Sequence, residues 1–493
     1  MKMKPVLKKK VLNIDYLILI LIMLFLIVKV PYLFKAHNVI WDEAVYLGMG
    51  KYLFSGGNIG FWEIVRPIGL PLILGLMWKT GLNYIFFSEV ISILFSIGNI
   101  IIVYLIGKNI VNKQMGFIAA SILAITSVFF LYTNYILTAI PSTFFILLGV
   151  YIYLKKQNLL LAGILCGTGA LFRFPQGIIL LSFIVAIFIS NKKNIHAFIK
   201  KSFLFTSGFI LINIPFLIFN YFMYNKETSK LYHALFRPWI LGSWAQFNPA
   251  ESIITNTLSK HLYNIFYYLI QLLKENTLFI FIIPGLIYIL RKKIPKKDKF
   301  HIILTTFIIY LIYFTYISNK QVRFLLVFLP YASLITAYGF YYSFLHSKKD
   351  RIRILIVLFV VISLVGVTAR DFNYYNWRLK EELPLVDDYY KFFIDKEIKG
   401  PILTTDPVPA VYIDAKFIPF YFSIDQGYRI YNLNKNNAFA TIFSPESFYC
   451  ADEECKTKLI NLSQTIEKNN KLIFSEIYQE RAYYIYLNTI TSS

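Results

Sequence analysis

Long apolar runs recur along the first three quarters of the chain, and clusters of lysine and arginine separate them. An apolar α-helix needs about 20 residues to cross the hydrocarbon core of a bilayer, and many of these runs approach that length. A water-soluble protein of this length would carry far more charge than the 16% found here, and would be less than 57% hydrophobic. The pattern therefore predicts a polytopic helical membrane protein.

We predict eleven transmembrane helices, at residues 14–34, 84–107, 116–132, 138–154, 159–171, 176–189, 202–221, 276–290, 301–317, 324–345 and 354–368. The apolar segment 67–78 is too short to cross and is predicted to be a re-entrant or interfacial helix. With a cytoplasmic N-terminus, eleven spans place six successive Lys/Arg clusters on the cytoplasmic side, as the positive-inside rule requires. The net charge of +23 is thereby explained by membrane orientation, so no nucleic-acid partner is predicted.

The last quarter of the chain differs in kind. Residues 370–493 contain no run of membrane length and slightly more acidic than basic residues. Segments 401–413, 471–477 and 482–488 have the pattern of strands, and segment 456–468 that of a short helix. We predict a membrane domain at residues 1–369 and a small extracytoplasmic α/β domain at residues 370–493. Whether Cys450 and Cys455 form a disulfide or remain free thiols stays open, and their spacing is only a weak metal signal.

The stretch from residue 37 to residue 71 is unusually acidic for its place. It follows the first span directly, and it holds Asp42, Glu43 and Glu63, three of the ten acidic residues that precede Arg370. An ionised carboxylate at the edge of a bilayer is costly to bury. An ordinary polar loop is one interpretation. The interpretation that we favour is an active-site loop facing one side of the membrane.

Four basic residues are predicted to lie on the same outer face as these acids. They are Arg66, Arg173, Lys320 and Arg323. The planar guanidinium matches a phosphate group, so the set suits a substrate with an anionic head group and a lipid tail. A nearby carboxylate could then deprotonate an acceptor hydroxyl. The sequence contains no GxxxxGK[ST], HExxH, CxxC or GxSxG motif that would indicate a competing chemistry.

Several of these residues lie in motifs that resemble a known family. The run WDEAVYLGMGKYLFSGG, followed by RPIGLPLILGLMWKTG, resembles the first external loop of the GT-C-type polytopic glycosyltransferases. The closest branch is the group of dolichyl-phosphate-mannose–protein mannosyltransferases and aminoarabinose transferases. Residues 319–330 (NKQVRFLLVFLP) resemble a second signature, and residues 173–175 (RFP) a third. Tyr46 matches the aromatic residue that follows the acids in the first loop.

The resemblance implies an inverting transferase that moves a sugar from a polyprenyl- or dolichyl-phosphate donor to an acceptor hydroxyl on a glycan, protein or lipid. Asp42 would be the general base, and Glu43 would position Asp42 or the acceptor. Arg66, Arg173, Lys320 and Arg323 would hold the lipid phosphate, and Tyr46 and Glu63 complete the expected substrate-binding set. Many relatives carry an acidic residue near the start of the fourth span, where this chain has Ala139.

The remaining expectations concern cofactors, location and competing functions. A divalent metal is possible, but no ligand pattern supports one, so no cofactor is predicted. Abundant Ile, Lys, Asn, Phe and Tyr are typical of a prokaryote with an AT-rich genome and favour the plasma membrane. A transporter or flippase of a lipid-linked saccharide is the alternative, although transporters usually carry mid-span charges and repeated halves. A non-catalytic membrane scaffold would not need the Asp42–Glu43 pair.

Overall fold

The computed structural model describes residues 14–34, 39–225, 230–247, 258–291, 297–317, 319–347, 349–380, 392–393, 396–448, 450, 452–478 and 481–488. In these ranges the α-helices are Ile14–Leu33 (α1), Trp41–Phe54 (α2), Gly69–Lys79 (α3), Tyr84–Ile110 (α4), Lys113–Ile125 (α5), Ser127–Tyr132 (α6), Ala139–Lys156 (α7), Leu159–Phe172 (α8), Ile179–Asn191 (α9), Ile195–Tyr224 (α10), Leu231–Phe247 (α11), Leu258–Glu275 (α12), Ile282–Arg291 (α13), Lys297–Tyr316 (α14), Leu325–His346 (α15), Asp350–Lys380 (α16), Pro409–Tyr412 (α17), Ile424–Asn434 (α18) and Glu453–Asn469 (α19). The 3-10 helices are Phe174–Ile178, Thr277–Phe281, Val322–Phe324 and Pro445–Ser447. The strands are Ile402–Thr404 (β1), Phe417–Pro419 (β2), Ala440–Phe443 (β3), Asn470–Tyr478 (β4) and Arg481–Asn488 (β5).

Eight helical segments of the described chain are long and apolar enough to cross a membrane. They are Ile14–Leu33, Tyr84–Ile110, Ala139–Lys156, Phe174–Asn191, Ile195–Tyr224, Lys299–Tyr316, Val322–Leu345 and Asp350–Tyr374. The other three predicted spans are also helical but shorter, and they lie in α5, α8 and Thr277–Arg291. The predicted fold class, a polytopic all-α membrane bundle with a small α/β unit after it, is confirmed. Helix α3 has 11 residues, too few to cross, which agrees with the expectation for segment 67–78.

Two of the shorter spans meet at polar residues inside the bundle, where one span is interrupted and the other begins. The backbone at Thr126 is extended, so the predicted span 116–132 is two short helices, α5 and α6. Asn276 precedes the 3-10 helix Thr277–Phe281, and its side chain accepts a hydrogen bond from the Leu278 amide. The same side chain donates to the Thr126 hydroxyl oxygen at 3.2 Å. Because a helix start leaves backbone amides that water cannot reach in a membrane, the bond to the Leu278 amide stabilises the start of the second span. The bond between the two side chains joins that start to the break at Thr126.

Helix α15 is the centre of the bundle. It carries no charged residue from Leu325 to Leu345 and is buried along most of its length. It packs against α5, α7, α13 and α14. By contrast, α1, α10 and α16 expose apolar side chains along much of their length. An apolar outer surface costs nothing in lipid, so these three helices form the periphery of the bundle.

Helices α2 and α3 form a tight pair beside one end of the bundle. A side chain on Gly75 would overlap the carbonyl oxygen of Gly50, so the two helices can approach this closely only because both positions are glycine. Helix α2 is buried from Glu43 to Lys51, although it contains two charged residues in that range. Asp42 and Glu43 lie in its first turn, where the positive end of the helix dipole favours negative charge.

The C-terminal unit is built on a five-stranded sheet with the order β2-β1-β3-β5-β4. Strand β1 is parallel to β2 and β3, whereas β5 is antiparallel to β3 and β4. The predicted strands at 471–477 and 482–488 and the predicted helix at 456–468 are confirmed as β4, β5 and α19. Cys450 and Cys455 form a disulfide.

The predicted strand at residues 401–413 is wrong beyond its first residues. Only Ile402–Thr404 is a strand, and Pro409–Tyr412 is a short helix. Asp406 explains the break, because its carboxylate accepts a hydrogen bond from the Val408 amide at 3.0 Å and turns the chain. Strands β2 and β3 were not predicted, since each has only three or four residues.

The sheet continues into the segment that carries Asp42. The Gly60 amide donates to the Ala415 carbonyl at 2.8 Å, and the Phe417 amide donates to the Gly60 carbonyl at 2.9 Å. The buried ammonium of Lys51 binds both the Asp414 carboxylate and the Val411 carbonyl at 2.7 Å. Side chains from α2 and from the sheet share one apolar cluster. The C-terminal unit and the Asp42 segment are therefore packed together.

Candidate functional site

Asp42 is held by two arginines from distant parts of the chain. The Arg66 guanidinium binds its Oδ1 at 2.8 Å, and Nη1 of Arg323 donates to its Oδ2. Burial alone would raise the pKa of the Asp42 carboxyl, but the two guanidiniums outweigh that effect and hold the pKa at about 2. Asp42 is therefore ionised at any physiological pH, and both of its oxygens already accept hydrogen bonds.

The two arginines differ in their other partners. Nε of Arg66 donates to the Glu63 carboxylate at 2.7 Å, and its guanidinium lies 5.7 Å from the centre of the Tyr46 ring. Nε of Arg323 donates to the side-chain carbonyl of Gln321, which is neutral. Burial would lower the pKa of Arg66, but Glu63 and Asp42 raise it well above the ordinary value for arginine. Arg66 thus has two counter-ions and Arg323 has one.

Arg173 is the third arginine of this region, and its partners differ from those of the other two. Within the described residues, no carboxylate lies at ion-pair distance from it, and its buried Nε has no hydrogen-bond partner. Its guanidinium lies 5.0 Å from the centre of the Phe324 ring. Burial, together with repulsion from Arg323, lowers the pKa of Arg173 to about 10. Arg173 is half-buried, and a cation that is partly removed from water without a partner is costly, so the position suits an anionic ligand.

These groups surround one cavity of about 350 Å³ at the end of the bundle where α2 packs. Its walls come from α2, the segment after Glu63, the start of α7, the turn after α8 and the turn before α15. The lining residues are Asp42, Tyr46, Val65, Arg66, Pro67, Leu137, Thr138, Ala139, Arg173, Phe174, Pro175, Asn319, Gln321, Arg323, Phe324 and Leu326. Asp42 is the only carboxylate among these lining residues. Ala139 faces the cavity as well, so the second loop adds no acid to it.

The structure brings five of the eight predicted site residues into the cavity lining: Asp42, Tyr46, Arg66, Arg173 and Arg323. Glu63 lies behind it and contacts the cavity through Arg66. Glu43 points elsewhere. Its carboxylate accepts hydrogen bonds from the Ile40 amide at 2.9 Å and the Ile136 amide at 2.7 Å, so it joins the start of α2 to the loop before α7.

Lys320 is also outside the lining, although both of its neighbours in sequence belong to it. Its ammonium donates to the carbonyl oxygens of Phe314 and Thr315 at the end of α14, and it lies 5.5 Å from the centre of the Tyr268 ring. Burial lowers the pKa of Lys320 to about 8. The expectation that Lys320 reaches the phosphate site therefore receives no support from its position. The physical reason is the backbone turn at these residues, which directs the side chain of Gln321, and not that of Lys320, into the cavity.

Three features of the site were missed by sequence reasoning. Gln321 binds Arg323, and its place in the charged turn was the available signal. Lys51 and Asp414 fix the C-terminal unit to α2, and a lysine among the mostly apolar residues that follow the first turn of α2 was the signal there. Tyr421 stacks edge-on against Trp41, with 4.7 Å between ring centres, and nothing local in the sequence pointed to it.

The charges of the site do not cancel. Three guanidiniums, those of Arg66, Arg173 and Arg323, face two carboxylates, those of Asp42 and Glu63. Among the residues that the structure describes, one net positive charge remains, and Arg173, which has no carboxylate partner there, carries it. Within the part of the chain that the structure describes, no group of three or more His, Cys, Asp or Glu side chains could hold a metal ion.

Part of the chain matches the model of a known protein family. The family described as dolichyl-phosphate-mannose-protein mannosyltransferase matches residues 65–219, about a third of the chain. That range includes Arg66 and Arg173 and leaves out Asp42 and Arg323. A comparison with curated proteins finds no match.

Solved structures match almost the whole chain. ArnT from Cupriavidus metallidurans, solved with undecaprenyl phosphate bound, is 9% identical with a TM-score of 0.60, and the match covers 97% of this chain and 99% of that one. The oligosaccharyltransferase AglB from Archaeoglobus fulgidus, in complex with an inhibitory peptide and a dolichol-phosphate, is 12% identical with a TM-score of 0.55, covering 95% and 74%. The mycobacterial arabinofuranosyltransferase AftD is 11% identical with a TM-score of 0.53, covering 96% and 40%. The comparisons confirm the predicted resemblance and show that the chain has the GT-C-type fold.

Proposed function

We propose that this membrane protein is a glycosyltransferase that moves a sugar from a polyprenyl- or dolichyl-phosphate donor to an acceptor hydroxyl. The observation that carries the proposal is Arg173, a half-buried arginine in a cavity shared with Arg66 and Arg323. Its Nε is buried without a hydrogen bond, and no carboxylate pairs with it within the described residues. Such a cavity favours an anion with several oxygens, and a phosphate fits the planar donors of arginine. Two of the solved proteins with this fold were captured with a lipid phosphate, which supports the same class of donor.

The proposed reaction is an inverting displacement. The acceptor oxygen attacks the anomeric carbon of the donor sugar and forms the new C–O bond, while the bond from that carbon to the phosphate oxygen breaks. The bonding electron pair leaves with the phosphate, and the proton of the acceptor hydroxyl passes to the Asp42 carboxylate. Arg66, Arg173 and Arg323 stabilise the charge that grows on the departing phosphate. Because a phosphate is a good leaving group, no strong general acid is required.

The other polar residues would position these groups. Glu63 orients Arg66 through its 2.7 Å ion pair, and the Tyr46 ring lies beside the same guanidinium. Glu43 fixes the start of α2, and therefore the place of Asp42, by binding the Ile40 and Ile136 amides. Lys320 is left out of the proposed phosphate site because it binds carbonyl oxygens of α14 instead.

We further propose that the cavity faces the outer side of the plasma membrane. The argument is the positive-inside rule applied to eleven spans, which places the Asp42 end of the bundle opposite the Lys/Arg clusters. The proposed membrane domain, residues 1–369, and the proposed outer domain, residues 370–493, would then meet at the Lys51–Asp414 ion pair. An outer domain packed against the helix that carries Asp42 is well placed to select the acceptor.

Mass spectrometry of cell-surface glycans tests the proposal. Cells that produce the protein should carry a sugar that is lost when the gene is deleted, and Asp42→Asn should reproduce that loss with normal membrane insertion. Asp15→Asn is the matched control, since Asp15 is also an ion-paired aspartate and binds Lys108 and Lys113. It lies in the first turn of α1, at the opposite end of that helix from the segment that carries Asp42. Glycans that are identical with and without the protein, or full transfer by Asp42→Asn, would refute the assignment.

A further inference from the structure

Asp42 occupies both of the arginines that a phosphate would need. Its Oδ1 binds Arg66 and its Oδ2 binds Arg323, so each oxygen has its own guanidinium. We propose that the donor phosphate displaces the Asp42 carboxylate from these arginines, so that Asp42 becomes free to accept a proton only after the donor has bound. The inference rests on the proposed function and adds an order of events to it.

The first step of the argument is competition for the same donors. A guanidinium has five N–H groups in a fixed plane, and a carboxylate and a phosphate both bind it most strongly in the two-pronged arrangement. Nε of Arg66 already binds Glu63, and Nε of Arg323 already binds Gln321. Only the terminal nitrogens remain, and Asp42 takes one from each arginine. A phosphate that entered the cavity would therefore compete directly with Asp42 for them.

The second step is where the phosphate first binds. Arg173 lines the same cavity and has no anion of its own among the described residues. A phosphate can thus bind Arg173 without breaking any existing ion pair. Once there, it is surrounded by Arg66 and Arg323, which line the same cavity. Arg173 therefore attracts the donor, and the other two arginines complete the site at the expense of Asp42.

The third step is conservation of charge during the reaction. A sugar phosphodiester carries one negative charge and Asp42 carries another. After transfer Asp42 is neutral, because it has taken the acceptor proton, and the lipid phosphate monoester carries nearly two negative charges at neutral pH. The total negative charge is unchanged and has only moved from Asp42 to the phosphate. The same three guanidiniums can therefore balance the negative charge before and after transfer, and no new counter-ion has to enter the cavity.

The exchange also explains how Asp42 could act as a base at all. A carboxylate bound by two guanidiniums has little affinity for a proton, which agrees with its low pKa. The charged and titratable groups that act on Asp42 or share its surroundings are Arg66, Arg323, Arg173, Glu63, Tyr46, Tyr132 and Tyr421. Of these, only the two bound arginines could move to a phosphate and release it. Acceptor deprotonation would thus wait for the donor.

Binding of undecaprenyl phosphate tests the exchange without any acceptor. The lipid is titrated into the full-length labelled protein in detergent micelles, and the Kd is measured by microscale thermophoresis. Asp42→Asn should bind undecaprenyl phosphate more tightly than the wild type, by about tenfold, because the amide competes weakly for guanidinium and one negative charge is gone. Asp42→Ser, a smaller neutral variant, should shift the Kd in the same direction, so a folding defect in one variant does not decide the result. Asp15→Asn, the distant ion-paired aspartate, should leave the Kd unchanged.

The outcomes separate the two proposals. If the wild type binds undecaprenyl phosphate but the Asp42 variants bind it equally well or more weakly, Asp42 does not compete with the phosphate and the exchange is wrong. If the wild type binds neither undecaprenyl phosphate nor dolichyl phosphate in the same assay, the proposed function itself fails. Tighter binding by both Asp42 variants, together with lost sugar transfer, is the combination that the exchange requires.

Discussion

Replacing Arg173 with glutamine should separate ligand binding from stability. In the structure this guanidinium has no carboxylate partner within the described residues, and its Nε is buried without a hydrogen bond. An arginine of this kind destabilises the unliganded protein, and a bound anion offsets that destabilisation. Arg173→Gln should therefore weaken the binding of a lipid phosphate and leave the protein as stable as before, or more stable.

The magnitude follows from the kind of hydrogen bond that is lost. Hydrogen bonds to charged groups contribute about 1.5–3 kcal/mol, which corresponds to an increase of about 10- to 150-fold in Kd. The upper end applies if both terminal nitrogens bind the phosphate. Because Arg173 also lies against the Phe324 ring, a smaller side chain would leave a void, and glutamine is chosen to retain most of the contact.

Two measurements on one purified sample suffice. The Kd for undecaprenyl phosphate is measured by microscale thermophoresis, and the midpoint of thermal unfolding is measured without the lipid. Arg370→Gln is the matched control, because Arg370 pairs with Glu275 at 3.3 Å and donates to Ser127 at 3.0 Å. That variant should lose stability and keep its affinity. A Kd for Arg173→Gln within a factor of two of the wild type would show that Arg173 is not a phosphate ligand.

Two further predictions address neighbouring residues. Because burial lowers the pKa of Lys320 to about 8, its positive charge is lost as the pH rises through that value, whereas the arginines and the phosphate keep their charges. Lys320 lies outside the cavity lining, so the Kd for undecaprenyl phosphate should stay constant from pH 7 to 9. A loss of affinity centred near pH 8 would show that Lys320 contributes to binding. Asp414→Ala leaves the buried ammonium of Lys51 without its counter-ion and should lower stability by about 1–3 kcal/mol. Lys51→Met should cost less, because it removes the buried charge and leaves only the Asp414 carboxylate, which is exposed to water. Thermal unfolding of both variants measures this difference, and equal losses would contradict it.

The spans could be predicted because a bilayer imposes length and polarity on every helix that crosses it. Lys/Arg clusters then fix which helix ends lie on the same side. For that reason Asp42, Arg66, Arg173 and Arg323, which lie far apart in sequence, could be expected at one end of the bundle. The structure places all four in the lining of one cavity.

Side-chain direction could not be predicted in the same way. Asp42 and Glu43 are neighbours on α2, and adjacent residues on a helix point in directions about 100° apart. Only the packing of the loop before α7 decides that Glu43 turns toward Ile136 while Asp42 faces the cavity. For the same reason the sequence pointed to Lys320, whereas the structure places Gln321 in the cavity lining. The 3-10 helix Val322–Phe324 sets which of the two side chains faces the cavity. Strand β2 and its contact with Gly60 depend on residues more than 350 positions apart, which local patterns cannot reveal.

The uneven distribution of counter-ions gives the cavity a direction. Arg66 has two carboxylates, Arg323 has one carboxylate and a neutral amide, and Arg173 has neither within the described residues. An incoming phosphate would therefore bind Arg173 first, because no ion pair has to be broken there. It would bind Arg323 next, which has one carboxylate partner, and Arg66 last, which has two. If all three arginines had carboxylate partners, the empty site would be more stable and the phosphate would have to break every pair. Within the described residues no carboxylate lies beside Arg173, and Ala139 adds none to the lining; this lack of a counter-ion is what would let the cavity accept the proposed anionic donor.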